Sequence, residues 1–143
     1  MLDDGDMSKI LATRGAFVGH GGRTAEVFYA NLFARDPELR RLFTGEMRLQ
    51  YRKLAATITL AIDGAREWDR FAPVLEVLAR RHLSYGVEDR HYGLVGEALL
   101  QTLAEAGADA ATLAAWARLY GMISDHMITA AYGLSRTAAR SSE

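Results

Sequence analysis

Arg80-Arg81-His82-Leu83-Ser84-Tyr85, with its sequel Asp89-Arg90-His91-Tyr92-Gly93-Leu94-Val95-Gly96, is the stretch on which the fold turns. Ahead of it, Phe71, Leu75 and Leu78 recur at helical spacing, and His82 takes the next position of that apolar series. An imidazole where the pattern predicts Leu either has a buried hydrogen-bond partner or holds a metal. The residue pattern alone leaves both readings open, so the answer lies in what the rest of the chain places opposite His82.

The totals exclude much. A chain of 143 residues is expected to form one domain, residues 1–143, with a polar tail from about residue 135. A net charge of −1 provides no global basic field for nucleic acid or an acidic membrane surface. The absence of cysteine removes disulfides, thiolate ligation, iron–sulfur clusters and any thiol nucleophile. Met1-Leu2-Asp3-Asp4 lacks the layout of a signal peptide, and the run from Leu54 to Ile62 is too short to span a bilayer. A cytoplasmic protein with no membrane span is the expectation.

Strand signals are weak, and the apolar periodicity predicts an all-α chain of six or seven helices. A first helix is expected over Met7 to Val18, ending at Gly19-His20-Gly21-Gly22. That glycine run is read as a corner rather than a phosphate loop, since no strand precedes it and no Lys-Ser/Thr follows. Thr24 to Ala34 carries the stripe Ala25, Phe28, Tyr29, Leu32 and Phe33. Asp36-Pro37-Glu38 starts a short helix that ends at Phe43. Met47 to Ile62 presents Gln50, Leu54, Ile58 and Ala61 on one face, with Tyr51 and Thr57 beside it, and Asp63-Gly64 is expected to close it. Trp68 to Tyr85 ends at Gly86. Asp89 or Glu88 caps a helix to about Ala106 with Tyr92, Val95, Leu99 and Leu103 inward, where Gly93 and Gly96 suggest close approach of a crossing helix or ligand. After Gly107-Ala108-Asp109, Ala110 to about Tyr132 carries Leu113, Trp116, Tyr120, Ile123 and Met127. The connections are short, and the helices are expected to form an irregular bundle.

Three polar groups on apolar faces carry the chemistry: Tyr29, Gln50 and His82, from three different helices. Each has a plain alternative: the Tyr29 hydroxyl bound to a backbone carbonyl, Gln50 at a helix edge, and His82 satisfied by a neighbour. His20 and His126 read as surface or corner residues and His91 as outward-facing. No Gly-x-Ser-x-Gly, His-Glu-x-x-His or paired Glu-x-x-His is present to support hydrolysis or a di-iron site.

Phe28-Tyr29-Ala30-Asn31-Leu32-Phe33, Asp36-Pro37-Glu38-Leu39, Leu42-Phe43, Arg81-His82, Tyr92 to Leu100, and Ala115-Trp116 with Tyr120-Gly121 together resemble the flavohaemoglobin-type globin domain and its single-domain bacterial haemoglobin relatives. The resemblance runs from about Ser8 to Tyr132. It implies a globin fold around haem b, with His82 as the proximal iron ligand and Phe43 on the porphyrin face. Tyr29 and Gln50 match the distal hydrogen-bond pair and Leu54 the apolar residue above the iron. Arg81, Tyr85 and Tyr92 are the further cofactor-binding positions, with Arg80, Arg81 and Arg52 as possible propionate partners. It implies reversible binding of O₂, NO or CO at a penta- or hexacoordinate iron, and oxygen transport, by a monomer or weak homodimer. The alternatives are a nitric oxide dioxygenase served by a separate reductase, or a gas or redox sensor. The chain departs from the family pattern in three ways. Ala131 stands where a glutamate partner of Tyr92 is usual, the segment from Phe43 to Gln50 is shorter, and no reductase domain is expected after the globin. The first departure favours ligand binding over peroxide-type chemistry.

Overall fold

The computed structural model describes residues 2–17 and 23–133. Among the described residues every regular element is helical, as the Ala-, Leu-, Arg- and Glu-rich composition predicts. The order is α1 (Asp4–Ala12), α2 (Arg14–Phe17), α3 (Arg23–Arg35), a 3₁₀ helix (Pro37–Leu42), α4 (Met47–Ala65), α5 (Trp68–Ser84), α6 (Asp89–Glu105) and α7 (Ala110–Tyr132). Asp36 accepts the Glu38 N–H at 3.0 Å and Asp109 the Thr112 N–H at 2.8 Å, so both expected caps are present. The glycine corner with His20, and the polar tail, lie outside the described residues.

Three expectations are corrected. The first helix begins earlier, at a reciprocal capping box between Asp3 and Asp6, and breaks at Thr13 rather than running on to Val18. The Thr13 hydroxyl donates to the Ile10 carbonyl at 2.6 Å and accepts the Trp116 indole N–H at 2.9 Å. A side chain that competes for a helical carbonyl in this way interrupts the ladder. The second correction concerns Asp63-Gly64, which do not end α4. The helix passes through them to Ala65, and Gly64 serves a contact instead. A Cβ there would lie 2.3 Å from Phe71 Cγ, so the glycine lets the α5 ring lie against the α4 backbone. The third is His91, which is only 5% exposed. Its Nδ1 accepts the Glu88 N–H at 2.9 Å, folding the ring back over the start of α6 to satisfy an otherwise orphaned donor.

Apolar burial falls into two clusters. The larger joins Ile10, Phe28, Tyr29, Leu32, Ile62, Leu103, Trp116 and Leu119, drawn from α1, α3, α4, α6 and α7. The smaller joins Ala61, Phe71, Leu75, Ala79, Tyr92, Met127 and Ile128, and it fastens α5 to α4, α6 and α7. Helix α3 packs chiefly on α6 and α5 chiefly on α7, so His82 and Tyr29 stand on elements held by different parts of the core. Gly96 allows the α6–α7 approach, since a Cβ there would meet Tyr120 Cε2 at 2.8 Å, and the Tyr120 hydroxyl donates to the Tyr92 carbonyl at 2.7 Å.

Adding one methyl at the α4–α5 contact sets two effects against each other. Gly64→Ala gains about 1 kcal/mol in helix propensity but forces the buried Phe71 ring aside, which costs about 1–3 kcal/mol. The variant is expected to be less stable than the parent by denaturant titration, whereas the same change at the uncrowded Gly121 should stabilise.

Candidate functional site

His82 stands in the last turn of α5, half-buried, and two bonds fix it. Its Nδ1 lies 2.6 Å from the Leu78 carbonyl oxygen. A carbonyl can only accept, so in the neutral imidazole Nδ1 carries the hydrogen and Nε2 the lone pair. Its own carbonyl accepts the Val87 N–H at 3.0 Å while the Gly86 N–H reaches Leu83 at 3.1 Å. With Gly86 at φ +92°, this is the Schellman stop that a glycine permits. Backbone and ring are therefore both tied, and the remaining nitrogen is the one suited to a metal. Among the described residues there is no group of three or more His, Asp or Glu side chains that could hold an ion. A metal on His82 would have to bring its other ligands with it.

Tyr29 is 7% exposed on α3 and surrounded by rings. Its ring centroid lies 5.0 Å from Phe28, 5.2 Å from Phe43, 5.8 Å from Phe33 and 5.8 Å from Tyr51. The hydroxyl makes no hydrogen bond to another described residue, so the carbonyl-bound alternative is not realised. Burial, with a smaller contribution from the Tyr51 phenol, pushes its pKa up to about 12. It therefore remains an O–H donor at any physiological pH. Phe43 caps the 3₁₀ helix, half-buried, and its carbonyl accepts from Arg40 Nη1 at 2.6 Å.

The other expected site residues are less closely gathered. Gln50 and Leu54 are half-buried one turn apart on α4, and Leu54 packs against the larger core cluster. No hydrogen bond joins Gln50 to another described residue. Arg81 is exposed at the end of α5, as are Arg80 and Arg52, while Tyr85, the α5 cap, is 69% exposed. Tyr92 is buried in the cluster that holds α5, and Ala131 packs on the same cluster. Burial, and secondarily Tyr132, raise the Tyr92 pKa to about 12. Among the described residues no carboxylate reaches its hydroxyl. His126 is half-buried rather than a free surface group, with Nε2 3.0 Å from Glu76 Oε2 of α5 and its ring edge-on to Trp68.

Tyr51 is the residue that sequence reasoning undervalued. The apolar pattern sets it beside the α4 face, yet its ring is tilted 36° against Tyr29 at 5.8 Å. The series Met47, Tyr51, Leu54 and Ile58 follows the i, i+4, i+7, i+11 rule and would have placed it inward.

Residues 26–127 match the globin family. The chain is 32% identical over 145 residues to a flavohemoprotein of Bordetella parapertussis, covering 97% of this chain and 36% of that protein. A flavohemoprotein of Chromobacterium violaceum is 31% identical over 134 residues, covering 90% and 33%. The chain thus spans about a third of the length of these relatives. Among solved structures, a bacterial globin from Campylobacter jejuni superposes with a TM-score of 0.80 at 25% identity, covering 92% of this chain and 97% of that one. An engineered carbene transferase from Rhodothermus marinus, derived from a candidate nitric oxide dioxygenase, does so with a TM-score of 0.74 at 25% identity, covering 99% and 96%.

The two buried phenols make alkaline stability a test of this geometry. Each binds its proton to about pH 12 when folded but to about pH 10 when unfolded. Between those values the folded chain holds the proton and the unfolded chain does not, so stability falls as pH rises, by about 1.4 kcal/mol per pH unit for each group. Denaturant titrations from pH 9.5 to 11 should show a shallower decline in Tyr29→Phe than in the parent.

Proposed function

The chain belongs to the globin family, and we propose that it is a haem b protein that binds a diatomic gas, with O₂ as the ligand its polar groups suit best. The observation that carries the proposal is His82, whose Nδ1–H is taken by Leu78 and whose Nε2 lone pair is left for iron. Its donor set fits haem in particular, because porphyrin supplies the four nitrogens that this chain lacks in any described cluster. Bound haem would supply an iron able to take a diatomic gas reversibly, with His82 as the residue that would hold it.

The protein's own groups divide the remaining work. The Leu78 carbonyl orients the imidazole and raises its basicity, as such partners do for metal-bound histidines. Phe43 offers an apolar face at the junction of the 3₁₀ helix with the loop that follows. Tyr29 brings an O–H with no hydrogen-bond partner among the described residues, surrounded by Phe28, Phe33 and Phe43, where a hydrogen bond to a polar ligand is strengthened by the low local dielectric. Gln50 and Leu54, one turn apart on α4, are proposed as the second donor and the apolar wall that limits water. Arg80, Arg81 and Arg52 are exposed cations suited to the propionates or to a partner surface. Among the described residues no helix is long and apolar enough to cross a membrane.

Nitric oxide dioxygenation with electrons from a reductase is the second reading, and it is favoured by the likeness to flavohemoproteins. Tyr92 weighs against it. With Ala131 beside its cluster and no carboxylate on its hydroxyl among the described residues, the electron-donating relay expected of such an enzyme is incomplete there. Steady consumption of NO with NADH and a cellular reductase would support the enzyme; a single stoichiometric burst would leave gas binding alone.

Purified protein given haem should show a Soret band that moves on adding CO, and His82→Ala should lose the proximal coordination. An unchanged spectrum in that variant would remove the assignment. Tyr29→Phe should release O₂ about tenfold faster or more, the equivalent of losing a hydrogen bond worth about 1.5–3 kcal/mol. Stopped-flow measurement of the dissociation rate decides it.

A further inference from the structure

Two phenols stand side by side in this protein, and neither is bonded. Tyr51 of α4 lies with its ring centroid 5.8 Å from that of Tyr29 of α3 and tilted 36° to it. No hydrogen bond joins either hydroxyl to a described residue. None joins the two to each other, although a phenol oxygen can both donate and accept. Nor is either oxygen sealed in. Among the described residues that are not exposed, the only fully enclosed side-chain nitrogen or oxygen without a partner is Arg14 Nε. Both phenol oxygens therefore border space that a water-sized molecule can reach. The surroundings are otherwise apolar. Phe28, Phe33 and Phe43 lie around Tyr29, and Tyr51 packs on the larger core cluster, as do Met47 and Leu54 of the same helix.

We infer that Tyr51 is a specificity-determining residue of the gas site, a second phenol that donates to the same ligand as Tyr29. The inference rests on the proposed reading of Tyr29 as a donor to that ligand. A hydroxyl held among rings without a partner is costly, and the cost is recovered when an acceptor arrives. With two such hydroxyls adjacent, the ligand that gains most is one able to accept from both. Among diatomic gases O₂ accepts hydrogen bonds well and CO poorly, so a second donor widens the preference for O₂. Tyr51 takes this role from a direction that Gln50 does not share. Successive residues on a helix point about 100° apart, and it is Tyr51, in the inward series Met47, Tyr51, Leu54 and Ile58, that meets the Tyr29 ring. The phenols also interact electrically. After burial itself, the Tyr51 phenol is the group that raises the Tyr29 pKa, which keeps Tyr29 a neutral donor.

The test compares Tyr51→Phe with Tyr29→Phe in the haem-loaded protein. Removing the Tyr51 oxygen leaves its ring in place, so the unfolding midpoint should not fall. O₂ dissociation, followed by stopped flow, should quicken about threefold to tenfold, as for loss of one ordinary hydrogen bond, while CO dissociation changes less than about twofold. The C–O stretching band of the CO complex should move to higher frequency, a sign of a less polar pocket that does not depend on turnover. If Tyr29→Phe speeds O₂ release while Tyr51→Phe leaves both the rate and the band unmoved, Tyr51 only packs and the inference is overturned. A lowered midpoint with parallel changes in the O₂ and CO rates would overturn it too, since that pattern reports lost packing. If Tyr29→Phe itself leaves O₂ release unchanged, the donor reading of Tyr29 fails first, and the inference fails with it.

Discussion

A neutral imidazole has one N–H, and in this protein the Leu78 carbonyl takes that of His82 at 2.6 Å. This bond determines which nitrogen remains a base and therefore what the site can bind. It holds only while α5 stays helical to its last turn, since Leu78 and His82 are one turn apart. The rest of the architecture can be seen as support for that turn. Phe71, Leu75 and Ala79 anchor the helix from below, Gly86 ends it cleanly, and His126 on α7 reaches Glu76 on its flank at 3.0 Å. Removing any one of these supports leaves the imidazole less well fixed while its chemistry is unchanged.

The two sides of the proposed pocket are held by different forces. Tyr29 belongs to the larger cluster, where aromatic rings at 5.0–5.8 Å confine its phenol without bonding it. His82 lies one turn beyond Leu78, which packs on the smaller cluster, and is held by directed hydrogen bonds. Packing fixes the ring plane of Tyr29 and leaves the O–H rotor free to find an acceptor, whereas hydrogen bonding fixes the tautomer of His82. A donor that must meet an incoming molecule and a base that must stay put call for these two kinds of constraint.

Much of this was readable in the residues. The series Phe71, Leu75, Leu78, His82 named the helix and its anomaly, and the caps at Asp36 and Asp109 formed as their local chemistry predicts. The misreadings share a cause. Gly64 reads as a helix stop because a glycine's backbone freedom is a local property, whereas its use here, admitting Phe71, depends on a residue across the α4–α5 turn. His91 reads as outward-facing because periodicity counts faces and does not see a ring folding back over its own helix end. The first helix breaks at Thr13, whose hydroxyl bonds the Ile10 carbonyl and is also met by the Trp116 indole, a partner that no window of neighbours contains. Tyr51 could have been found, since the spacing for it was present.

The Gly64–Phe71 contact also has an evolutionary meaning. A ring lying where a Cβ would stand makes the two positions a single steric choice, because any side chain added at 64 needs atoms removed at 71. Substitutions there are admissible in pairs and harmful singly, so the two sites should drift together across related sequences while their neighbours vary independently. The angle at which α5 leaves α4, and with it the placement of the histidine two turns beyond Leu75, thus depends on the two positions jointly rather than on either alone.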